Sequence, residues 1–276
     1  MKPLPAPRTV KSASRSGGAL PGVDFARPLV AVDVVIFAVS RDALNVLLLA
    51  RPDQAGEPFP LCWALPGGFV DVAHDRTLQD CARRKLLEKT AVAAPYLEQL
   101  GSWGSASRDP RGWSATHAYL ALIDQPTGPM GSPGTDAAAP DGLIASAAAT
   151  FAADRPASAG ESRWFDVNEA ARQTLAFDHL DIFQAALARL RSKVEYTSLP
   201  AFLLPEPFTL PELQRTYEIV LGRPMDKSAF RRRMLDAAFL ETAGSVGGVS
   251  GRPAQGYRVK NRAFPVTFPR TFRSHE

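Results

Sequence analysis

The sequence predicts an α/β chain in two parts: an α/β module over residues 29–198, then a helix-turn-helix closed by a β-hairpin over residues 199–276. Three observations predict it. Strand-like runs at 29–40 and 45–50 lead through a Pro-Gly-Gly turn into a helical pattern at 77–90. A segment dominated by Gly, Pro, Ala and Ser, 124–160, interrupts later strands ahead of a long amphipathic helix. Beyond Pro200, two capped helices precede two short strands. At about 150 residues per domain, a chain of 276 fits two.

Residues 1–28 carry Pro3, Pro5, Pro7 and the Ser-Arg-Ser-Gly-Gly stretch 14–18, which break any periodicity, so a disordered basic arm is expected. LVAVDVVIFAVS (29–40) and NVLLLA (45–50) are rich in β-branched and aliphatic residues and pair as a hairpin. WALPGGFV (63–70) is a third extended stretch. In the helix that follows, Leu78, Cys81, Ala82 and Leu86 share a face, and Thr77 with Asp80 forms a capping box. Strands LEQLGSWG (97–104) and HAYLALI (117–123) precede the low-complexity insertion, and SRWFDV (162–167) resumes the fold. His179–Tyr196 repeats Leu180, Phe183, Leu187, Leu190 and Val194 at spacings of three and four; the stripe is read as packing inward, with a dimer seam as the alternative. Thr209, Pro211 and Glu212 open a helix that Gly222 ends. Asp226 caps the next, Lys227–Ala238, whose Phe230, Met234 and Ala238 face inward, leaving Ser228 and Arg232 on the opposite side. FLETA (239–243) and GYRVK (256–260) form the hairpin, completing a winged helix-turn-helix.

Composition narrows the function. No apolar run approaches the roughly 20 residues of a membrane span, and the first 28 residues lack the apolar stretch of a signal peptide, so a cytoplasmic protein without membrane partner is expected. Two cysteines, Cys62 and Cys81, are too few for a disulfide framework, and no zinc-ligand spacing accompanies the four histidines. Charge is uneven: residues 29–200 hold 15 Lys and Arg against 20 Asp and Glu, whereas residues 201–276 hold 12 against 7 and residues 1–28 hold 5 against 1. A basic module beside an acidic one suits a polyanion, since Lys and Arg gain affinity by releasing counterions from phosphates.

GGFVDVAHDRTLQDCARRKLLEKTAV (67–92) resembles a Nudix box, the loop-helix motif of hydrolases that cleave nucleoside diphosphates linked to another group. Leu65-Pro66-Gly67-Gly68, Arg84, Leu86, Glu88 and Val92 fit the pattern. The departures fall on the acids. Arg76 stands for the first glutamate after a two-residue lengthening of the loop, Lys85 and Lys89 for two helix glutamates, and Ala91 for the glycine. In the active pattern three glutamates hold Mg²⁺. Two ammonium groups cannot ligate a cation, and at about 4 Å each repels it by several kcal/mol at an effective dielectric near 20. No metal is therefore expected, and the lysines are read as holding a diphosphate directly.

Arg108-Asp109-Pro110-Arg111-Gly112, Tyr119, Leu175-Ala176-Phe177-Asp178-His179, the segment 203–235 and Gly251-Arg252-Pro253 extend the similarity to Nudix-related transcriptional regulators of NAD metabolism, over about residues 29–265 apart from the insertion. That resemblance implies a mixed-sheet α/β/α sandwich sensing ADP-ribose or a related NAD metabolite, a winged helix on a double-stranded DNA operator, and a homodimer; repression relieved by ligand is taken as the default direction. Candidate ligand residues are Gly67, Gly68, Phe69, Arg84, Lys85, Glu88 and Lys89, followed by Arg51, Arg108, Arg111, His117, Asp178 and His179. Trp63 and Trp113 are options for stacking on adenine; taken as an ordinary helix, residues 78–90 would pair Arg84 with Asp80 and Glu88. For DNA the candidates are Ser228, Arg231 and Arg232, with Lys227 and Arg252 for phosphates and Arg233, nearer the core side, for phosphate or a local acid. The competing reading is an active Nudix hydrolase in which Glu88 binds Mg²⁺ with Asp71, His74 or Asp75; a metabolite-binding protein whose tail contacts protein is a third.

Overall fold

The computed structural model describes residues 27–91, 94, 96–124, 126, 158–247 and 253–272. Most of the arm and of the insertion, Val92, Gly251 and Arg252 lie outside the described residues. The hairpin forms from β1 (Leu29–Ser40) and β2 (Ala43–Ala50), turning on Arg41 and Asp42, both at positive φ (49° and 56°), as a two-residue turn between twisted strands demands. The expected third stretch divides into β3 (Trp63–Ala64), which pairs with β2, and β4 (Gly67–Phe69), which pairs with β1. Pro66 between them has no N–H for a ladder, but its carbonyl accepts from Val34 N–H at 2.8 Å. Helix α1 (Leu78–Thr90) starts where Thr77 Oγ1 accepts from Asp80 N–H, and ends on Ala91 at φ 55°, the left-handed position the motif otherwise gives to glycine.

Strands β5 (Tyr96–Ser105), β6 (Ser114–Leu122) and β7 (Ser162–Asp166) complete a seven-stranded mixed sheet of order β3-β2-β1-β6-β5, with β4 and β7 joining the edges of β1 and β2. Among the named strands of the described residues, β1 and β6 are the pair that runs parallel. Strand β1 is buried on both faces, and its alternation divides two cores. Val32, Val34 and Ile36 pack with Cys81, Ala82 and Leu86 of α1, while Val35 and Phe37 face the opposite layer. After the short helix α2 (Val167–Ala170), that layer is α3 (His179–Val194), whose Phe183, Leu190 and Val194 are buried; the stripe turns inward.

A 3-10 turn (Leu199–Leu203) leads to α4 (Leu210–Leu221), α5 (Lys227–Asp236) and the wing strands β8 (Leu240–Val246) and β9 (Ala254–Val259). Both halves of the Thr209–Glu212 capping box form, and Gly222 closes α4 at φ 70°. Helix α5 is two residues shorter than expected: Ala238 lies beyond it, exposed and at φ 53°, because Ala237 and Ala238 N–H bond back to Arg233 and Leu235 carbonyls and close the last turn. The apolar layer under α3 continues without a break into Leu213, Tyr217, Phe230 and Met234. Tyr217 Oη donates to the Thr197 carbonyl at 2.7 Å and Arg191 Nε to Val220 at 3.2 Å, fastening α3 to the winged helix. No helix among the described residues is long and apolar enough to cross a membrane.

Candidate functional site

A cleft of about 230 Å³ opens where β1, β4, the 51–62 loop, the 108–114 loop and the start of α3 converge. At its floor lies Asp33, the one acid in the β1 run. Its carboxylate is 3.5 Å from His179 Nε2 and 3.7 Å from Arg108 Nη2. Leu65 N–H donates to His179 Nδ1 at 2.9 Å, which fixes the ring with Nε2 toward the acid. Burial raises the Asp33 pKa, but His179 and Arg108 outweigh it and the net direction is down. Gly67 packs directly on this group: a Cβ there would sit 2.0 Å from Asp33 Oδ1 and 2.7 Å from the Val32 carbonyl. Because one obstacle is backbone, Gly67→Ala is expected to cost about 3 kcal/mol or more in urea unfolding and to close the cleft; unchanged unfolding would contradict the packing.

Three guanidiniums ring the cleft. Arg108 makes a bidentate pair with Asp178 at 2.9 and 2.7 Å, so the residue before α3 serves the cleft and makes no side-chain cap. Arg51 pairs with Glu57 at 2.6 Å and lies 4.8 Å from the Phe177 ring centre, which Phe59 meets edge-on. Arg111 pairs with Asp109 at 2.9 Å, lies 3.7 Å from Glu57, and covers the exposed Phe69 ring at 5.0 Å. Burial raises Asp109, and Arg111 more than reverses it. Phe177 holds φ 56°, a conformation costly for a non-glycine and typical of sites where backbone is over-determined. Forked donors beside aromatic faces suit a ligand that joins phosphates to a planar base.

The helix face adjoining the glycines carries the altered acids. Lys85 crosses Gly68: a Cβ on that glycine would lie 3.1 Å from Lys85 Nζ. Glu88 accepts from Arg84 at 3.0 Å and lies 3.6 Å from Lys85. Burial raises the Glu88 pKa, and Arg84 followed by Lys85 brings it below the ordinary value. Arg84 also grips Asp75 at 2.8 and 2.6 Å; this corrects the expected Arg84–Asp80 pair, since Asp80 faces Arg83 at 3.9 Å. The lengthened loop makes this possible by folding Asp75 back on α1, where the Arg84 hydrogen bonds hold its carboxyl far below the carboxylate range. The remaining loop acid, Asp71, accepts from His74 at 2.8 Å. One salt-bridged carboxylate between two lysines does not fit Mg²⁺, and among the described residues no group of three His, Cys, Asp or Glu is placed to hold a metal. Lys89 is exposed on the same helix.

Two expectations are corrected. His117 shares the face of Tyr119, whose side chain packs with α1, and pairs with Ser102 Oγ at 2.8 Å; it does not line the Asp33 cleft, because strand alternation turns it to the opposite layer. Trp63 is buried edge-on against Phe165, and Trp113 also lies off the cleft lining, so neither is placed to stack on a base there. Among the lining residues that the sequence reading does not name as ligand candidates are Asp33, Glu57, Asp109 and Phe177, the last two within segments quoted for their resemblance alone. A lone acid in a strand buried on both faces must find a partner, and that was the available signal for Asp33.

On α5, Asp226 Oδ1 accepts from Ala229 N–H at 2.7 Å, and Phe230 and Met234 anchor the buried side. Lys227, Ser228, Arg231 and Arg232 are all exposed on the other. Arg233 departs from the expected phosphate role: its Nη2 donates to the Thr271 carbonyl at 3.1 Å and its guanidinium lies 4.1 Å from the Phe272 ring centre, since its position on the helix turns it toward the core flank.

Residues 27–186 match the NUDIX domain family and residues 200–259 the NrtR DNA-binding winged helix domain. The ADPR responsive transcriptional repressor NtrR of Acinetobacter baylyi is 41% identical over 258 residues, spanning 92% of each chain. The crystal structure of Shewanella oneidensis NrtR complexed with a 27mer DNA is similar with a TM-score of 0.69 and 36% identity, over 88% of this chain and 99% of that one. An ADP-ribose pyrophosphatase of Methanocaldococcus jannaschii is 35% identical over 88 residues, 32% of this chain and 47% of the enzyme.

Proposed function

From the premise that the chain belongs to the family of Nudix-domain proteins carrying an NrtR-type winged helix, we propose that it is a transcriptional repressor that binds operator DNA and responds to ADP-ribose or a related NAD metabolite. Residues 29–198 form the sensor and residues 199–276 the DNA-binding part. The observation that carries the reading is the pairing of an arginine-lined nucleotide cleft with a helix face whose metal-binding acids are replaced. Arg51, Arg108 and Arg111 exchange carboxylate partners for ligand phosphates, and Lys85 with the Gly67–Gly68 backbone supports the diphosphate without a divalent cation. The protein works in the cytoplasm as a homodimer, presenting two winged helices to two half-sites.

Ligand entry disturbs the Arg108–Asp178 pair at the start of α3, and the far end of the same helix holds the winged helix through Arg191 and the Thr197–Tyr217 contact. Binding therefore biases the equilibrium between DNA-competent and DNA-incompetent arrangements. Calorimetry with ADP-ribose is expected to give the same affinity, within about twofold, in excess EDTA and in Mg²⁺, and ADP-ribose is expected to release the protein from its operator. Binding that requires Mg²⁺, or cleavage of ADP-ribose lost in Glu88→Gln, would transfer the protein to the hydrolase reading.

A further inference from the structure

The chain does not stop at the wing. Residues 260–272 run back across the winged helix and fasten beside α5. Phe268 N–H donates to the Tyr196 carbonyl at 2.7 Å and Phe272 N–H to Glu195 at 2.8 Å. Arg223 Nη2 donates to the Phe272 carbonyl at 3.0 Å. The Phe272 ring stacks on Phe230 at 6.1 Å between centres, meets Tyr217 at 5.2 Å, and receives the Arg233 guanidinium on its face. This short piece of irregular chain is thus tied to the linker after α3 and to both helices of the helix-turn-helix.

Between the tail and α5 lies a cleft of about 720 Å³. Taking Phe230 as the buried origin and about 100° per residue, Arg232 lies at about 200° and Asp236 at about 240°, so Arg232 stands at the border between the outward face of α5 and the flank covered by the tail. Across that cleft the tail presents Arg270, exposed and near enough for its charge to act on Arg233. Arg233 cannot itself reach outward, being held by Phe272 and Thr271. Arg223, which also lines the cleft, is engaged by Glu195 and the Phe272 carbonyl, so the basic side chains open to a ligand on this flank are Arg232 from the helix and Arg270 from the tail, with Asp226 and Asp236 the acids on the same rim.

We propose that the segment 266–272 is part of the DNA-binding surface, a clamp alongside α5 whose Arg270 contacts the phosphate backbone next to the groove that α5 enters. The proposal rests on the operator-binding reading and adds to it a contact outside the 200–259 winged-helix match. Its partner is duplex phosphate because a single exposed guanidinium on irregular chain, without a pocket shaped around a base, supplies charge and no base readout. Arg233, by contrast, acts as a positioning residue that holds the clamp in place.

The test uses the full chain and two duplexes, one enriched by the wild-type protein from a random-sequence library and one unselected. Arg270→Ala is expected to weaken both by a similar factor, about 3- to 10-fold, and to reduce the slope of log K against log salt by about 1. Arg270→Lys is expected to restore most of the affinity, because a phosphate needs charge and not a fork. The Arg270→Ala melting temperature and ADP-ribose affinity should match the wild type, since the side chain is exposed and remote from the Asp33 cleft. An unchanged salt slope and affinity in Arg270→Ala would overturn the clamp while leaving the repressor reading intact. A wild-type chain without affinity for either duplex, even at low salt, would overturn both.

Discussion

Arg232→Ala is expected to lower affinity for the operator duplex by about 10- to 100-fold and to leave ADP-ribose binding within about twofold of the wild type. Arg232 is exposed, at about 200° from the buried Phe230, and the aromatic contact of Phe230 with Tyr217 fixes the helix orientation beneath it. Truncation is expected to remove a contact with DNA and leaves the packing of the helix untouched. Discrimination between selected and unselected duplex separates two roles. If Arg232 reads a base edge, the ratio falls with the affinity; if it contacts phosphate only, affinity for both duplexes and the salt slope fall while the ratio holds. Unchanged affinity for both, measured by fluorescence anisotropy, would remove Arg232 from the DNA interface.

Arg108→Ala is the corresponding change on the sensor side. Arg108 is buried and contacts two acids, Asp178 at 2.7 Å and Asp33 at 3.7 Å. Removing it leaves Asp33, itself buried, without its nearest guanidinium, and the loss of one partner from a buried charge network costs roughly 3–5 kcal/mol. Urea unfolding should show that loss together with the loss of ADP-ribose binding. The wild-type chain has a linked pH dependence. The folded-state pKa of Asp33 lies below its ordinary 3.8, so its stabilisation is complete above that value and is lost as pH falls through the lower folded-state one. In Arg108→Ala part of this depression disappears, so the stability lost on acidification below the ordinary value should be smaller, and complete at a higher pH, than in the wild type. An identical acid profile for the two proteins would show that Arg108 does not tune Asp33.

How much of this was legible in the sequence depended on how local the cause was. Thr209, Pro211, Glu212 and Gly222 announce the start and end of α4 because every group in a cap lies within a few residues of its partner, and the structure forms each of those bonds. Asp226 is legible for the same reason. The glycine turn, the replaced acids and the arginines of the 108–112 segment could also be placed, since each sits in a short pattern with its own chemistry. Asp33 could not be assigned a role, because its partners Arg108 and His179 come from the far ends of other elements and meet only when β1 lies at the sheet centre. His117 misled because an amino-acid type was weighed without the face its strand gives it. Arg84 found Asp75 where Asp80 was expected, a consequence of how the lengthened loop folds, which helix spacing does not encode. The C-terminal strap of aromatics is tertiary throughout: Phe268 and Phe272 carry no periodic signal, and their N–H groups donate to residues more than 70 positions earlier.

The long helix between the sensor and the winged helix has a mechanical implication. Its 16 residues make a rod of about 24 Å, gripped at one end by the cleft and at the other by the DNA-reading head. A tilt of only about 5° carries the far end of such a rod about 2 Å. That excursion is small enough for the packed sheet to absorb, yet large against the tolerance with which a recognition helix must fit the groove of a double helix.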